Sequence, residues 1–421
     1  MQGRAEASAL SARAVSHTPD HGKAVRHARR ACLGCCMTAR IVSIGTAVPR
    51  TELRQEDVRD LFAAQEGLDR LTRRRIQAVF DAADIRRRHT VLAELGADAA
   101  DRMPGAPAFV DAGRGILSPS TGERNDLFIA VAPDLAADAA RTALAEGAVD
   151  AAAVTHVVTV SCTGMFAPGL DHRLVRDLGL SPTVERCHLG FIGCAAALPA
   201  LRVASALAAT RPGAVVLVVC LELCSLHLRR SSDPQQIVAA SVFADGAAAA
   251  VVTSDEATGR PGGFDLDRFG STLTSEGETD MVWTIGDHGF EMVLSAEVPR
   301  IIGREIRGAV GRFLGDDAVP EVWAVHPGGR SVLDRVESGL ELPPEALAAS
   351  RGVLRNFGNM SSATILFILA ALLRDDAVAA GARVAGLAFG PGLTVESALL
   401  TRRRPDARAE SDTRVALAAS A

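Results

Sequence analysis

Tyrosine is absent from the 421 residues, and lysine occurs once, as Lys23. The other basic residues are arginines, a composition that reads as GC-rich coding and not as chemistry. Asparagine is scarce too, with only Asn125, Asn356 and Asn359. There is no excess of positive charge: 45 Lys+Arg against 50 Asp+Glu leaves a net charge of −5. A nucleic-acid footprint needs a basic face, so that class is set aside. No uninterrupted apolar run reaches the roughly 18 residues of a membrane span. The nearest, from Ala195 to Cys220, is broken by Arg202, Arg211 and Pro212. The eight cysteines lack the dense spacing of a secreted scaffold, so a reducing, cytoplasmic setting is expected. Cys32, Cys35 and Cys36 resemble half of a zinc site, but no second half follows, and no metal is expected. Serine hydrolases are excluded by the lack of a G-x-S-x-G elbow.

What is present is a globular composition, 48% hydrophobic and 23% charged. The length suits two or three units of about 150 residues. Residues 1–36 carry Arg and His without apolar periodicity or a signal-peptide core, and read as a disordered arm or a mis-assigned start. Beyond Met37, helical stretches alternate with short β-branched runs. Helices are expected over Leu53–Phe80, Pro133–Glu146, Ala195–Ala209, Val298–Leu314 and Ser361–Leu373. Strands are expected at His156–Ser161, Ala214–Val219, Ala247–Val252, Val322–Val325, Val384–Phe389 and Leu393–Leu400. Met103–Asp126 reads as a surface loop. This alternation argues for an α/β fold. A polar, turn-rich stretch at Ser254–Gly263 divides it into halves, 37–255 and 256–401, with a flexible tail at 402–421.

Chemistry concentrates at three places. In His188-Leu189-Gly190-Phe191-Ile192-Gly193-Cys194 an apolar run ends at a glycine and a cysteine opens an alanine-rich helix. A helix N-terminus favours thiolate over thiol, although the same segment also suits a buried structural cysteine. His326 follows the apolar strand Val322–Val325 and precedes Pro327-Gly328-Gly329, where active-site loops lie; alone it equally suits a core histidine. Asn359 stands just before a helix, as an oxyanion donor or as a simple N-cap.

Five strings then carry a resemblance: Gly193-Cys194-Ala195-Ala196, Phe243-Ala244-Asp245-Gly246, His326-Pro327-Gly328-Gly329, Gly358-Asn359-Met360-Ser361-Ser362 and Gly390-Pro391-Gly392-Leu393. In content and order they resemble the motifs of type III polyketide synthases, the chalcone-synthase-like enzymes of the thiolase superfamily, over about residues 38–401. The resemblance implies a five-layer αβαβα fold of two similar halves, a Cys194–His326–Asn359 triad and a homodimer. It also implies an acyltransferase that loads an acyl-CoA starter, decarboxylates malonyl-CoA and condenses iteratively, with no metal or organic cofactor.

The resemblance assigns a pocket as well. Phe243 matches a gatekeeper phenylalanine, while Met292 replaces the second. Cys162 and His227 stand at plant threonine positions, and cysteine at the former is familiar in bacterial members. Trp283 aligns with a cavity glycine, Ser361 with a pocket serine, and Glu222 with a buried glutamate linked to cyclisation. For CoA, only Arg75 matches one of three basic residues, and Ala78 and Ala82 replace the others; Arg73, Arg74 or Arg86–Arg88 are the candidates to compensate, although an arginine run is usually a solvated face. The loop Met165-Phe166-Ala167-Pro168-Gly169 would cross a dimer axis. An aliphatic acyl-CoA starter giving alkylpyrones or alkylresorcinol-type products is expected. The alternatives are a malonyl-only synthase making a hydroxylated naphthalene, a single-condensation β-ketoacyl carrier-protein synthase III, and a catalytically inactive scaffold subunit.

Overall fold

A computed structural model describes residues 38–96, 103–256, 258–260 and 262–403. The arm at 1–36 with Cys32, Cys35 and Cys36, and the tail beyond Arg403, lie outside the described residues. In chain order the strands are β1 (Arg40–Ala47), β2 (Thr51–Arg54), β3 (Arg87–Thr90), β4 (His156–Ser161), β5 (Glu185–Gly190), β6 (Val215–Leu223), β7 (Asp245–Thr253), β8 (Gly263–Leu273), β9 (Met281–Gly286), β10 (Gly289–Leu294), β11 (Val322–Val325), β12 (Arg383–Gly390) and β13 (Thr394–Arg403). The helices are α1 (Gln55–Ala63), α2 (Arg70–Ala82), α3 (Thr121–Gly147), α4 (Leu170–Asp177), α5 (Ala197–Thr210), α6 (Pro234–Val242), α7 (Val298–Leu314), α8 (Arg330–Leu340), α9 (Ala348–Phe357) and α10 (Ala363–Arg374).

Nine strands form one sheet in the order β11-β12-β13-β8-β1-β7-β6-β4-β5. The join between β1 and β8 is short, Arg40 opposite Asp265 and Ile41 opposite Phe264. On either side of it the pattern repeats. In the first half β1 runs antiparallel to β7, β7 antiparallel to β6, and β6 parallel to β4. In the second, β8 runs antiparallel to β13, β13 antiparallel to β12, and β12 parallel to β11. The second half is thus the first without an equivalent of the edge strand β5. This is the thiolase-like pair of similar halves that the motifs imply.

Side-chain alternation sets the layers, because successive strand residues face opposite sides. On β6, Val215, Leu217, Val219 and Leu221 join a core with α3 and α4, while Val216, Val218 and Cys220 join a second core with α5 and α10. On β12, Val384 and Ala388 face that same middle core, and Ala385, Leu387 and Phe389 face α7 and α8. The result is α3/α4, sheet, α5/α10, sheet, α7/α8: five layers. Strands covered on both faces need continuous apolar runs, which β6 and β7 supply. Small residues let the layers close up. A Cβ at Gly45 would stand 2.3 Å from the Ala143 backbone nitrogen of α3. The stretch Gly193–Thr210 is apolar over 18 residues, and 61% of it is buried in this middle layer, as a core helix.

Three expectations need correction. Leu53–Phe80 is not one helix but the end of β2, then α1 and α2, separated by a turn in which Gly67 has φ +75°. The loop expected to reach Asp126 ends earlier: α3 begins at Thr121, capped reciprocally by Ser120 and Glu123. The hairpin of β9 and β10 lies within a stretch where no strand was expected.

Candidate active site

Cys194 sits at a tight elbow after β5. Phe191 and Gly193 have φ +57° and +66°. A Cβ at Gly193 would stand 2.5 Å from Pro391 Cδ, so the Gly390-Pro391-Gly392 turn packs directly on the elbow and demands glycine. A single 3-10 turn, Gly193–Ala195, carries the cysteine into α5. Asn359 occupies the matching place in the second half, shortly before α10. Its backbone nitrogen donates to Val242 O at 2.8 Å and its carbonyl accepts from Ala244 N at 2.9 Å. The asparagine is thereby tied to either side of Phe243. It does not cap α10, whose N-cap Ser362 makes no side-chain cap bond.

The Asn359 amide has a defined orientation. Oδ1 accepts from Ser361 N at 2.8 Å and from Cys194 Sγ at 3.9 Å. Nδ2 donates to Gly328 O at 3.3 Å, which leaves its second N–H uncommitted among the described residues. His326 caps β11, with its backbone nitrogen donating to Leu387 O at 2.8 Å. The ring is fully buried, and neither nitrogen has a partner among the described residues. Burial pulls the imidazole down to about 3, so it rests neutral. Burial also pushes the Cys194 thiol up to about 11, only partly offset by its hydrogen bonding with Ser361 and Asn359. Burial thus opposes the thiolate that the helix N-terminus suggested.

Two cavities meet at this point. The outer one, about 500 Å³, is lined by Cys194, His326 and Asn359, by Val79 and Ala82 of α2 and Ala83 just beyond it, and by Arg300, Arg330 and Arg335 at its mouth. The inner one, about 70 Å³, is lined by Cys194, Cys162, His227, Trp283 and Ser361. Phe243, Met281 and Met292, like Cys194, line both and stand where the two meet. The structure thus brings all three triad candidates to one cavity and the pocket candidates around the adjoining one.

Glu222 stands behind the inner wall, fully buried. Its carboxyl accepts from Cys162 N at 3.0 Å, Thr163 Oγ1 at 2.9 Å and Ser362 Oγ at 2.6 Å, and lies 3.3 Å from Cys162 Sγ. Burial raises it despite these donors, and burial with the adjacent Glu222 holds the Cys162 thiol well above the usual range. His227 is committed to the frame: Nε2 donates to Thr163 O at 2.8 Å and Nδ1 accepts from Phe290 N at 2.9 Å. These bonds define a neutral tautomer, and burial holds the ring at about 3. Trp283 Nε1 donates to Cys162 O at 2.7 Å, and the rings of Trp283, Phe290 and His227 pack together.

Arg75 is the weakest assignment. It is half-buried on α2, one turn from Val79, but is not part of the cavity lining. Arg73, Arg74, Arg86 and Arg87 are exposed. The arginines at the mouth, Arg300, Arg330 and Arg335, were not singled out in the sequence, although Arg330 directly follows the His326-Pro327-Gly328-Gly329 string. Thr163 and Ser362, which hold Glu222, were missed too. Among the described residues, no group of three or more His, Cys, Asp or Glu is placed to hold a metal.

A two-half thiolase-like fold with a cysteine, a histidine and an asparagine on one cavity defines a class of acyl-transferring condensing enzymes. The comparisons narrow the class. The family model "Chalcone and stilbene synthases, N-terminal domain" matches residues 25–256, and its C-terminal companion matches residues 269–403. The chain belongs to the chalcone and stilbene synthase family and is a type III polyketide synthase, an acyltransferase. The match begins at residue 25, inside the segment that the composition sets apart. Bisdemethoxycurcumin synthase of Oryza sativa subsp. japonica is 34% identical over 379 residues, covering 86% of this chain and 92% of that protein. The solved C-terminal type III domain of Steely1, a type I/III hybrid from Dictyostelium, has TM-score 0.78 at 28% identity, covering 87% of this chain and 99% of that one. PKS-I of the brown alga Ectocarpus siliculosus has TM-score 0.81 at 27% identity, covering 88% and 100% respectively.

Proposed function

We propose that the chain loads an aliphatic acyl-CoA on Cys194 and extends it with malonyl-CoA to alkylpyrone or alkylresorcinol-type products. The observation that carries this reading is the sharing of one cavity wall by Cys194, His326 and Asn359. His326 takes the Cys194 proton as the starter thioester enters, and the sulfur attacks its carbonyl carbon. The carbon–sulfur bond to CoA breaks, and the departing thiolate takes the proton back from the imidazolium. Malonyl-CoA then occupies the outer cavity, with its phosphates toward Arg300, Arg330 and Arg335. As CO₂ leaves, the electron pair passes into the thioester, and its enolate oxygen is held by the free Asn359 N–H and by His326. The enolate carbon attacks the Cys194-bound carbonyl, a carbon–carbon bond forms, and the sulfur leaves. Decarboxylation supplies the carbanion, so the scheme calls for no metal or organic cofactor.

The starter is read from the inner cavity. Leu53, Val58, Leu95, Leu228, Ala239 and Ala240 give it an apolar side, and unbranched Met292 stands at the wall where it can shift. Trp283 takes up space that a bulky aromatic starter needs. Comparison of kcat/KM for a medium- or long-chain acyl-CoA and p-coumaroyl-CoA, with EDTA present, tests this. At least a tenfold preference for the aliphatic substrate is expected, about 1.4 kcal/mol; the same preference for the aromatic one refutes it. The small volume of the inner cavity favours a second reading, a malonyl-only synthase making a hydroxylated naphthalene. That reading predicts the same product with and without added starter.

The active form is proposed to be a homodimer. Met165 is 47% exposed, with its backbone held by Asn125 at 2.8 and 2.9 Å, and the edge strand β5 is largely uncovered. Phe166, in contrast, packs edge-on to Phe128 of its own chain at 6.2 Å. Light scattering at micromolar concentration should give twice the chain mass; a stable monomer contradicts the proposal.

A further inference from the structure

The outer cavity has a cationic mouth. Arg300, Arg330 and Arg335 line it, and Asp334 is the one carboxylate among the described lining residues. Most charges on the two helices that carry them, α7 and α8, are already matched. Arg300 pairs with Glu297, Arg304 with Glu276 and Arg307 with Glu341. Arg351 of α9 holds both Asp334 and Glu337 at 2.9 Å, and Arg330 Nε lies 3.6 Å from Asp334. Arg335 is exposed and lines the cavity, and no acidic group pairs with it among the described residues. It is the cation at this mouth that is free to take an anion.

Its stem is held in place. A Cβ at Gly303 of α7 would stand 3.3 Å from Arg335 Cδ and 3.5 Å from its Cβ. The arginine stem therefore lies against α7 where that helix has no side chain, one turn beyond Arg300. Glycine inside a helix costs stability relative to alanine, and here it makes room for Arg335. A stem already packed on the neighbouring helix loses less freedom when its guanidinium binds a ligand. A malonyl-CoA molecule carries two kinds of anion. Its carboxylate must reach His326 and Asn359, which are 0% and 1% exposed, to be lost as CO₂. Its phosphates stay at the solvent end, where Arg335 stands, and a guanidinium matches phosphate geometry through paired N–H donors.

We propose that Arg335 is the principal phosphate anchor for the CoA part of both substrates, with the ion-paired Arg300 and Arg330 adding to the positive field around it. The proposal rests on the acyl-CoA reading of the Cys194 site. It places the anchor in the second half of the chain and not on α2, whose Arg75 is not part of the cavity lining. Octanoyl-CoA is compared with octanoyl-N-acetylcysteamine, a thioester without phosphate, as acyl donor to Cys194. Intact-protein mass spectrometry gives the ratio of the two acylation rate constants for the parent, Arg335→Glu, Arg335→Lys and Arg75→Glu. Arg335→Glu should lower the ratio at least about tenfold, as for loss of a charge-assisted contact to phosphate. Arg335→Lys, which keeps a point charge, should lower it less than Arg335→Glu does. Titration calorimetry with free CoA should show a parallel weakening of binding in Arg335→Glu. An unchanged ratio in Arg335→Glu overturns the proposal, and so does a larger fall in Arg75→Glu. Equal falls with both esters, together with a lower melting temperature, overturn it too, because Arg335 would then be a structural prop between α7 and α8. A parent acylated by neither ester overturns the reading of the Cys194 site, while the CoA titration still decides whether Arg335 is the anchor.

Discussion

Cys194→Ala should abolish product formation, by at least about 10⁴-fold, because nothing else nearby can serve as the covalent anchor. The other thiols of this region are poor substitutes. Cys162 lies 3.3 Å from the Glu222 carboxyl, and Cys220 and Cys224 are likewise raised by burial and by Glu222. None has His326 or Asn359 on its own cavity wall. The substitution removes one sulfur at the head of α5 and leaves the Gly193–Pro391 packing in place, so the variant should remain folded. Product assay by mass spectrometry, with thermal melting as control, checks this. Turnover within tenfold of the parent would remove the basis for the mechanism.

The second large effect is expected at Asn359. Asn359→Ala should lower malonyl-CoA decarboxylation by about 10²–10³-fold, the usual loss on deleting one oxyanion donor. The orientation of the amide makes this specific. Oδ1 is engaged by Ser361 N, so Nδ2 is the atom left to meet an enolate oxygen. Acyl transfer from starter-CoA, which forms no enolate, should suffer much less. The substitution also strands the buried Ser361 N–H, at a cost of about 1–3 kcal/mol, so a lowered melting temperature is part of the expectation. Release of labelled CO₂ against acyl-Cys194 formation separates the steps. Equal loss in both would show that Asn359 serves only to shape the loop.

The elements legible in the sequence were those with one unambiguous signal. His156–Ser161 and Val322–Val325 are short apolar runs, and Val298–Leu314 has a long helical period; the structure forms them with those limits. Leu53–Phe80 misled because apolar residues continue at helical spacing across the break at Gly67. The start of α3 was readable in Ser120-Thr121-Gly122-Glu123 but was obscured by the Gly- and Pro-rich stretch before it. The hairpin of β9 and β10 turns at Asp287-His288 without the usual Asn-Gly signal. The catalytic candidates were legible through their strings, but their electrostatics were not. Cys194 at a helix start suggests a thiolate, and only the assembled core shows how dry the site is. The mouth arginines were hidden for a related reason. Arg300 lies on α7, and Arg330 and Arg335 on α8, in the second half of the chain. No local pattern announces that tertiary packing brings them to the cavity that α2 lines, where Arg75, with Arg73, Arg74 or Arg86–Arg88, was expected to act.

The central claim is that Cys194 carries the acyl chain beside His326 and Asn359. It is tested most directly by brief incubation with an acyl-CoA alone, proteolysis, and mass spectrometry of the cysteine-containing peptides. The account predicts a single acyl adduct on Cys194, discharged when malonyl-CoA is added, with CO₂ released and an extended product formed. An adduct confined to another residue such as Cys162, or extended product formed with Cys194 never acylated, would contradict it.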